Sequence, residues 1–321
     1  MHILTHPVHT SWEYEFAKTG HEIFTIAPDD FEIMTPDYWG SCHGTLTRGP
    51  IWNTKDRPFP DNVRVISLAA ARRMHFDVCM VHTASWLEKI KDISCPIIFK
   101  VHVIPPADLV PAWAEKIIAV LSFNNEMAMH RVVTKHPIPK TVIPVPIDPV
   151  LFSGYTGIKE ACLAISHLVT KRPEKKVDRL TRIHALIPLH LFGGGNQDVP
   201  CAVGEASSFH KYVSLYQTYA VFLDVADHVS MSRLEAMMTG MPIVIFPPEY
   251  HRDLFIHDYN CLIVETERAA AQAIRYLFQH PEERKRLGDN ARNTVLARFH
   301  SESFREQWNT LLHQVVSHTL L

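Results

Sequence analysis

The strongest constraint on this chain is an alternation between apolar runs too short for helices and amphipathic segments of helix length. "HILTH" (2–6), "EIFTIA" (22–27), "VRVISL" (63–68), "DVCMVH" (77–82), "PIIFKVH" (96–102), "KIIAVLS" (116–122) and "TVIPVP" (141–146) read as buried strands. A second series follows at "CLAISHL" (162–168), "LHLFGG" (189–194), "AVFLDV" (220–225), "PIVIF" (242–246) and "CLIVE" (261–265). Strands alternating with helices predict parallel sheets covered by helices on both faces. In "AKTGHEIF" a glycine stops one such helix just before the next strand. Residues 28–62, rich in Pro, Gly and aromatics, interrupt the pattern and are expected to form an irregular surface or substrate loop.

The two series are joined by "PVPIDPVLFSGYTG" (144–157), whose Pro and Gly content suits a linker between domains. From Glu267 to Leu320 the pattern is helical, with a break and restart at "HPEER" (280–284). The expected organisation is a domain over 1–147, a second over 148–300, and a closing helix over 301–321 that crosses back to the first. The fold class is α/β, with two Rossmann-like doubly wound domains facing a cleft. Ligands of such sheets lie beyond the carboxyl ends of the strands.

Composition narrows the class of partner. With 321 residues, 46% of them hydrophobic, the chain can fill a core in each domain. Its formal net charge is -2. Residues 1–150 hold 14 Lys and Arg against 16 Asp and Glu, so no half forms a basic arm for nucleic acid. Six dispersed cysteines form no C-x-x-C pair, and reduced, buried thiols in a cytoplasmic protein are expected. The opening "MHILTHPVHT" lacks a charged segment leading into a long apolar core, and no apolar run is long enough to span a membrane. Among the 21 histidines, His6 and His9 have a spacing that metal ligands use, but one such pair is weak evidence, and no metal site is assigned.

The stretch "DHVSMSRLEAMMTGMPIVIFPPE" (227–249) carries the most chemistry. A helix starting near Ser230–Ser232 would offer unpaired backbone N–H groups and a partial positive charge to a phosphate. Glu235, in the first turns, could accept from two adjacent hydroxyls such as those of a ribose, and Asp227 would stand on the preceding loop. The same spacing also describes a loop-capping Asp227 and a solvated Glu235, since acids near helix starts serve the dipole. Gly193, Gly194 and Gly195 follow a strand and either admit a nucleotide to the backbone or only turn the chain.

The segment "VFLDVADHVSMSRLEAMMTGMPIVIFPPEYHRDLFIHDYNCLIVE" resembles the donor-binding signature of the retaining glycosyltransferase family 4, whose fold is GT-B. Glu235 matches the second glutamate of its E-x7-E pattern and Asp227 stands at the first, while Ala236, Met237, Gly240 and Pro242 match the family's residues beyond the second glutamate. "GHEIFTI" resembles the family's second strand and "VIPVPIDPVLF" its crossover between domains. "LHLFGGG" and "HPEERKRLGDNARNTVLARFHSESFREQW" are similar to its glycine strand end and closing helices. The likeness covers most of residues 96–310 and is weakest before residue 62, where "HPVHTSWEYEF" replaces the usual Gly-Gly loop.

The resemblance implies a metal-independent transfer of a sugar from a nucleotide-diphosphate sugar to a hydroxyl, with retention of configuration. No cofactor is implied, and a UDP-sugar is placed ahead of a GDP-sugar. The acceptor would be a saccharide or small molecule, with a modified nucleic acid behind these. The first domain would hold the acceptor and the second the donor. Lys175 corresponds to the family's phosphate lysine and His167 stands where its arginine is expected, unless Lys171, Arg172 or Arg233 supplies that charge. Lys175, Asp227 and His102, the last at the end of "FKVH", are the catalytic candidates. Glu235, His167, Gly193, Gly194, Ser230, Met231, Ser232 and Leu234 are donor-binding candidates, and His9, Thr10 and His82 lie on the acceptor side. Glu249 matches a further acid, or starts a helix. On this reading Glu235→Ala loses donor binding in a folded chain. A nucleotide-sugar epimerase of the same fold, or a nucleotide-sugar binder without turnover, are the alternatives.

Overall fold

The structure, a computed structural model, describes residues 1–6, 9–26, 57–102, 107–171, 175–226, 229–248 and 252–317. The chain divides into two compact units, Met1–Pro146 with Ser301–Leu321, and Ile147–His300. The interruption expected over 28–62 falls largely outside the described residues.

In chain order the first unit contains β1 (His2–Thr5), α1 (Thr10–Ala17), β2 (Glu22–Ile26), β3 (Val63–Ile66), α2 (Leu68–Ala71), β4 (Val78–Val81) and α3 (Ala84–Ile90). It continues through β5 (Ile97–Val101), β6 (Ile118–Phe123), α4 (Glu126–Arg131) and β7 (Lys140–Val142). The described strands form one sheet in the order β3-β2-β1-β4-β5-β6-β7, with each neighbouring pair parallel. Side chains alternate across it, so β4 sends Cys79 and Val81 into a core with Phe24, Trp86 and Phe99, and Val78 and Met80 into another with Trp12, Phe16 and Trp308. Cys79 and Cys95, distant in any cysteine motif, meet with sulfurs 3.0 Å apart beside β5.

The second unit runs β8 (Lys159–Ile165), α5 (Val177–His184), β9 (Leu189–Phe192), β10 (Ala202–Gly204), α6 (Phe209–Thr218), β11 (Tyr219–Asp224), α7 (Met231–Thr239), β12 (Ile243–Ile245), β13 (Leu262–Ile263), α8 (Glu267–Gln279) and α9 (Pro281–Phe299). Its parallel sheet has the order β10-β9-β8-β11-β12-β13. The helix α10 (Ser301–Val316) returns to the first unit and buries Phe304, Trp308, Leu311 and Leu312 against β1, β4 and β5. Among the described residues no helix is long and apolar enough to cross a membrane.

The "TG" that ends α7 has a definite job. Gly240 lies at φ 86°, the left-handed turn that closes a helix, and its N–H returns to the Met237 carbonyl. Gly288 of α9 packs directly on the Gly240 backbone, where a Cβ would overlap the Gly240 carbonyl oxygen. Arg292, one turn further along α9, donates to the carbonyls of Met238, Phe152 and Pro149 and so ties the same helix end down. Backbone cannot yield as a flexible side chain can, so Gly288→Ala is expected to cost about 1–3 kcal/mol of stability, read by urea unfolding. A midpoint equal to the parent's would show that α7 and α9 separate freely at this contact.

Candidate functional site

Each sheet has a point where strand order reverses, between β1 and β4 in the first and between β8 and β11 in the second. In open α/β sheets the ligand crevice lies at such a point, beyond the carboxyl ends of the strands. Both clusters of chemistry-bearing side chains in this chain lie there.

In the second unit β11 ends on Asp224. Its Oδ2 accepts from the Ser230 hydroxyl and from Arg233 Nε, each at 2.9 Å, and its Oδ1 accepts the Ala226 N–H at 2.9 Å. Ser230 is the N-cap of α7 and also accepts the Arg233 N–H, leaving the amides of Met231 and Ser232 at the positive end of the helix. Arg233 is fully buried, donates from Nη2 to the Ala226 carbonyl at 3.0 Å, and lies 5.1 Å from the Phe255 ring centre. Its Nη1 has no hydrogen-bond partner among the described residues. Burial alone would push the Asp224 carboxyl up. The Arg233 guanidinium, then Lys175, then the Ala226 amide outweigh it and hold the carboxyl at about 2. Lys175 is itself buried, at 7% exposure, rather than standing in solvent as a helix-start lysine would. The α7 start therefore combines two cations, one anion and a helix dipole, a setting that favours an added anion.

Glu235 is fully buried on α7. Its Oε2 accepts from the Tyr212 hydroxyl at 2.5 Å and the Tyr216 hydroxyl at 2.7 Å. The two hydroxyls this carboxylate receives come from α6 of the same unit, where a ribose was expected. A ribose diol at this oxygen would compete with both tyrosines. Leu234 is 1% exposed and belongs to the core, while Met231 and Ser232 are half-buried in the first turn.

The glycine triplet serves the chain's own backbone. At Gly193, φ 136°, a Cβ would overlap the Ser166 carbonyl, and Gly195 is left-handed at φ 73°. Asn196 holds the turn by donating to the carbonyls of Ser166 and Gly193. The Gly194 N–H donates to His167 Nδ1 at 3.0 Å, which makes that nitrogen an acceptor and places the neutral ring's proton on Nε2. Glu205 Oε1 lies 3.9 Å from the same nitrogen. His167 is a half-exposed ring beside the strand end rather than a buried one; of the alternatives for its charge, Arg233 is buried against Asp224 and Arg172 lies outside the described residues.

In the first unit β1, β4 and β5 exit into His6, His82 and His102. His82 is fully buried, with one ring nitrogen 3.1 Å from Thr5 Oγ1 and the other 2.8 Å from His102 Nε2. Both of its nitrogens are engaged within the chain, so it stands behind His102 instead of against an acceptor. Burial, then Lys100 and His9, brings the His82 imidazole down to about 3, and burial likewise pushes His6 well below the usual histidine range. His6 stacks on Trp86 at 4.5 Å and accepts the His82 N–H. His9, the N-cap residue of α1, lies parallel to His102 with ring centres 6.5 Å apart, and Thr10 opens that helix. His9, His82 and His102 are thus brought together. Asp227 and Glu249 lie outside the described residues.

Sequence reasoning passed over Asp224, Thr5 and the pair Tyr212 and Tyr216. The first two were visible as polar residues closing apolar runs, and the tyrosines as an i, i+4 pair on one helix face. Among the described residues no group of three or more His, Cys, Asp or Glu side chains could hold a metal ion.

Residues 172–310 match the family model described as glycosyl transferase-like. No curated protein sequence matches the chain. Among solved structures, HepE (Alr3699) of Anabaena in complex with UDP-glucose is similar at a TM-score of 0.70 and 13% identity, covering 98% of this chain and 100% of that one. Sucrose-phosphate synthase of Thermosynechococcus elongatus is similar at 0.68 and 14%, covering 99% and 100%, and a glycosyltransferase of Rickettsia africae ESF-5 at 0.67 and 12%, covering 98% of each. The fold is that of the GT-B glycosyltransferases. Residues 172–310 are similar to that glycosyl transferase-like family, and the two parallel sheets with their helices are the two Rossmann-like halves of the GT-B fold.

Proposed function

We propose that this chain transfers a sugar from a nucleotide-diphosphate sugar, a UDP-sugar before a GDP-sugar, to a hydroxyl acceptor with retention of configuration and without a metal. The observation that carries the reading is the cationic start of α7, where Lys175 and Arg233 gather around Asp224 at the end of β11. As the bond to the anomeric carbon breaks, negative charge builds on the leaving diphosphate. Lys175 and the α7 amides offset it, a single such contact being worth about 3 kcal/mol in the transition state. Asp227 would hold the sugar hydroxyls, and His102, with His9 and Thr10, would meet the reacting group and acceptor. HepE, which binds UDP-glucose, supports the choice of donor. The reading places the protein in the cytoplasm, where nucleotide sugars and reduced thiols coexist.

The first test is thermal unfolding with UDP, UDP-glucose, GDP and GDP-mannose, since a ligand of the native state raises its stability. A uridine ligand is expected to raise the midpoint, and Lys175→Ala to weaken its binding by about tenfold or more. Turnover is expected to survive EDTA. No shift with any of the four ligands, or an EDTA loss restored by manganese, would overturn the donor or the metal-free part respectively. One observation weighs against a ribose contact at Glu235: its carboxylate is already held by two tyrosines. Free nucleotide diphosphate formed with a glycosylated acceptor decides for transfer.

A further inference from the structure

Cys79 and Cys95 lie at the amino ends of β4 and β5, the opposite end of those strands from His82 and His102. Cys79 is buried in the first unit's core, whereas Cys95 is half-buried in the turn that leads into β5, beside the exposed Ser94. The backbone holds the two together. The Cys79 N–H donates to the Pro96 carbonyl at 2.9 Å, the Cys95 N–H donates to the Ile93 carbonyl at 3.1 Å, and Ile93 anchors the turn in the core. The sulfurs meet at 3.0 Å as free thiols. A sulfur–sulfur bond of about 2.05 Å then needs an approach of about 1 Å, which Cys95, outside the β4–β5 pairing, can supply from its turn.

The two thiols are unequal in reach and in acidity. The hydrogen bond from Cys79 holds the Cys95 thiol below its ordinary range, while the same contact, then burial, pushes Cys79 well above it. Cys95 is therefore the thiolate of the pair, and it is the one that solvent can reach. Among the described residues no third His, Cys, Asp or Glu side chain completes a metal site with them, so the chemistry on offer is that of two thiols. The remaining described cysteines supply the contrast. Cys162, Cys201 and Cys261 are all buried, and burial pushes each thiol up, that of Cys261 to about 12.

We propose that Cys95 and Cys79 form a thiol–disulfide exchange site for low-molecular-weight disulfides, in which Cys95 is the attacking thiol and Cys79 the resolving one. The Cys95 thiolate attacks one sulfur of the small disulfide, forms a mixed disulfide and releases one small thiol. Cys79 then attacks Cys95 Sγ, closes the bond between residues 79 and 95 and releases the second. The two protons of the cysteines end on the two released thiols, and the two electrons that the pair gives up reduce the small disulfide. The site stands apart from the sugar transfer proposed above and does not rest on it.

The test is incubation of the reduced, folded full chain with excess glutathione disulfide, followed by peptide mass spectrometry without reduction. In the parent, the peptides of Cys79 and Cys95 are expected to be joined, with no glutathione retained on either and with Cys162, Cys201 and Cys261 still reduced. Dithiothreitol should return both thiols. Cys79→Ala removes the resolving thiol and should trap one glutathione on Cys95, whereas Cys95→Ala should leave Cys79 reduced. Both variants also carry Cys42→Ser, so that this cysteine, outside the described residues, cannot act as a substitute. Glutathione retained on Cys95 of the parent beside a free Cys79 would overturn the proposal. So would a parent in which both stay reduced, or a Cys79 that reacts as well in Cys95→Ala as in the parent. Since no nucleotide is present, the outcome is independent of the thermal test of donor binding.

Discussion

Replacing Arg233 with methionine is expected to cost about 3–5 kcal/mol of folding stability, because it strands the Asp224 carboxylate beside a buried side chain with no guanidinium to meet it. The same change removes the donor to the Ala226 carbonyl and the cation near the Phe255 ring. The loss should carry a pH signature. The folded Asp224 carboxyl, at about 2, lies below its ordinary 3.8, so the unfolded chain binds that proton more readily than the folded one. Its contribution, about 2 kcal/mol, is present in full above roughly pH 4 and is lost as pH falls toward 2. Urea unfolding of the parent should show this acid decline, and Arg233→Met should flatten it. Adding Asp224→Leu to Arg233→Met should regain part of the loss, since two apolar groups replace a charge that lacks its partner. A single variant within about 1 kcal/mol of the parent would mean that Asp224 finds another cation, Lys175 being the candidate.

That pair shows where sequence reasoning reaches and where it stops. Apolar runs separated by helix-length segments are local, so both sheets could be traced before any contact was known. β10 escaped because Ala202–Gly204 is a three-residue edge strand with half-exposed and exposed side chains, too short and too polar to show a period. The helix start at Ser230 was legible from its capping serine, and so was an acid inside its first turns. What that acid touches was not, since Tyr212 and Tyr216 lie 23 and 19 residues away and meet it only when α6 packs on α7. The histidines show the same divide. "HILTH", "DVCMVH" and "PIIFKVH" each end in His, but that β1, β4 and β5 are neighbours, which lines these residues up, comes from the strand order.

Glu235→Ala is therefore expected to act first on the fold and only then on any ligand. The sequence alone suggested a folded chain that no longer binds donor. The structure leaves two buried tyrosine hydroxyls, 2.9 Å apart, without the carboxylate that accepts both. The two hydroxyls can then bond to each other, so the cost is that of one lost charged acceptor, and a loss of about 1–3 kcal/mol is expected in urea unfolding. Burial, then Glu235 and Tyr212, push the Tyr216 phenol up, so it remains a donor over the whole neutral range and the loss should not vary with pH there. Glu235→Gln keeps an accepting oxygen and should cost about 1 kcal/mol. The role in binding is separated by changing the donors instead. Phenylalanine at both 212 and 216 keeps the packing of ring 216 against Phe152 and Phe222 and removes both tyrosine hydroxyls from the carboxylate. If a ribose uses that oxygen, calorimetry should show UDP binding the double variant about tenfold more tightly than the parent, both competing hydroxyls having been removed. Equal affinities, with a destabilised Glu235→Ala, would make Glu235 a structural acid of α7 and leave the donor to Lys175 and the helix start.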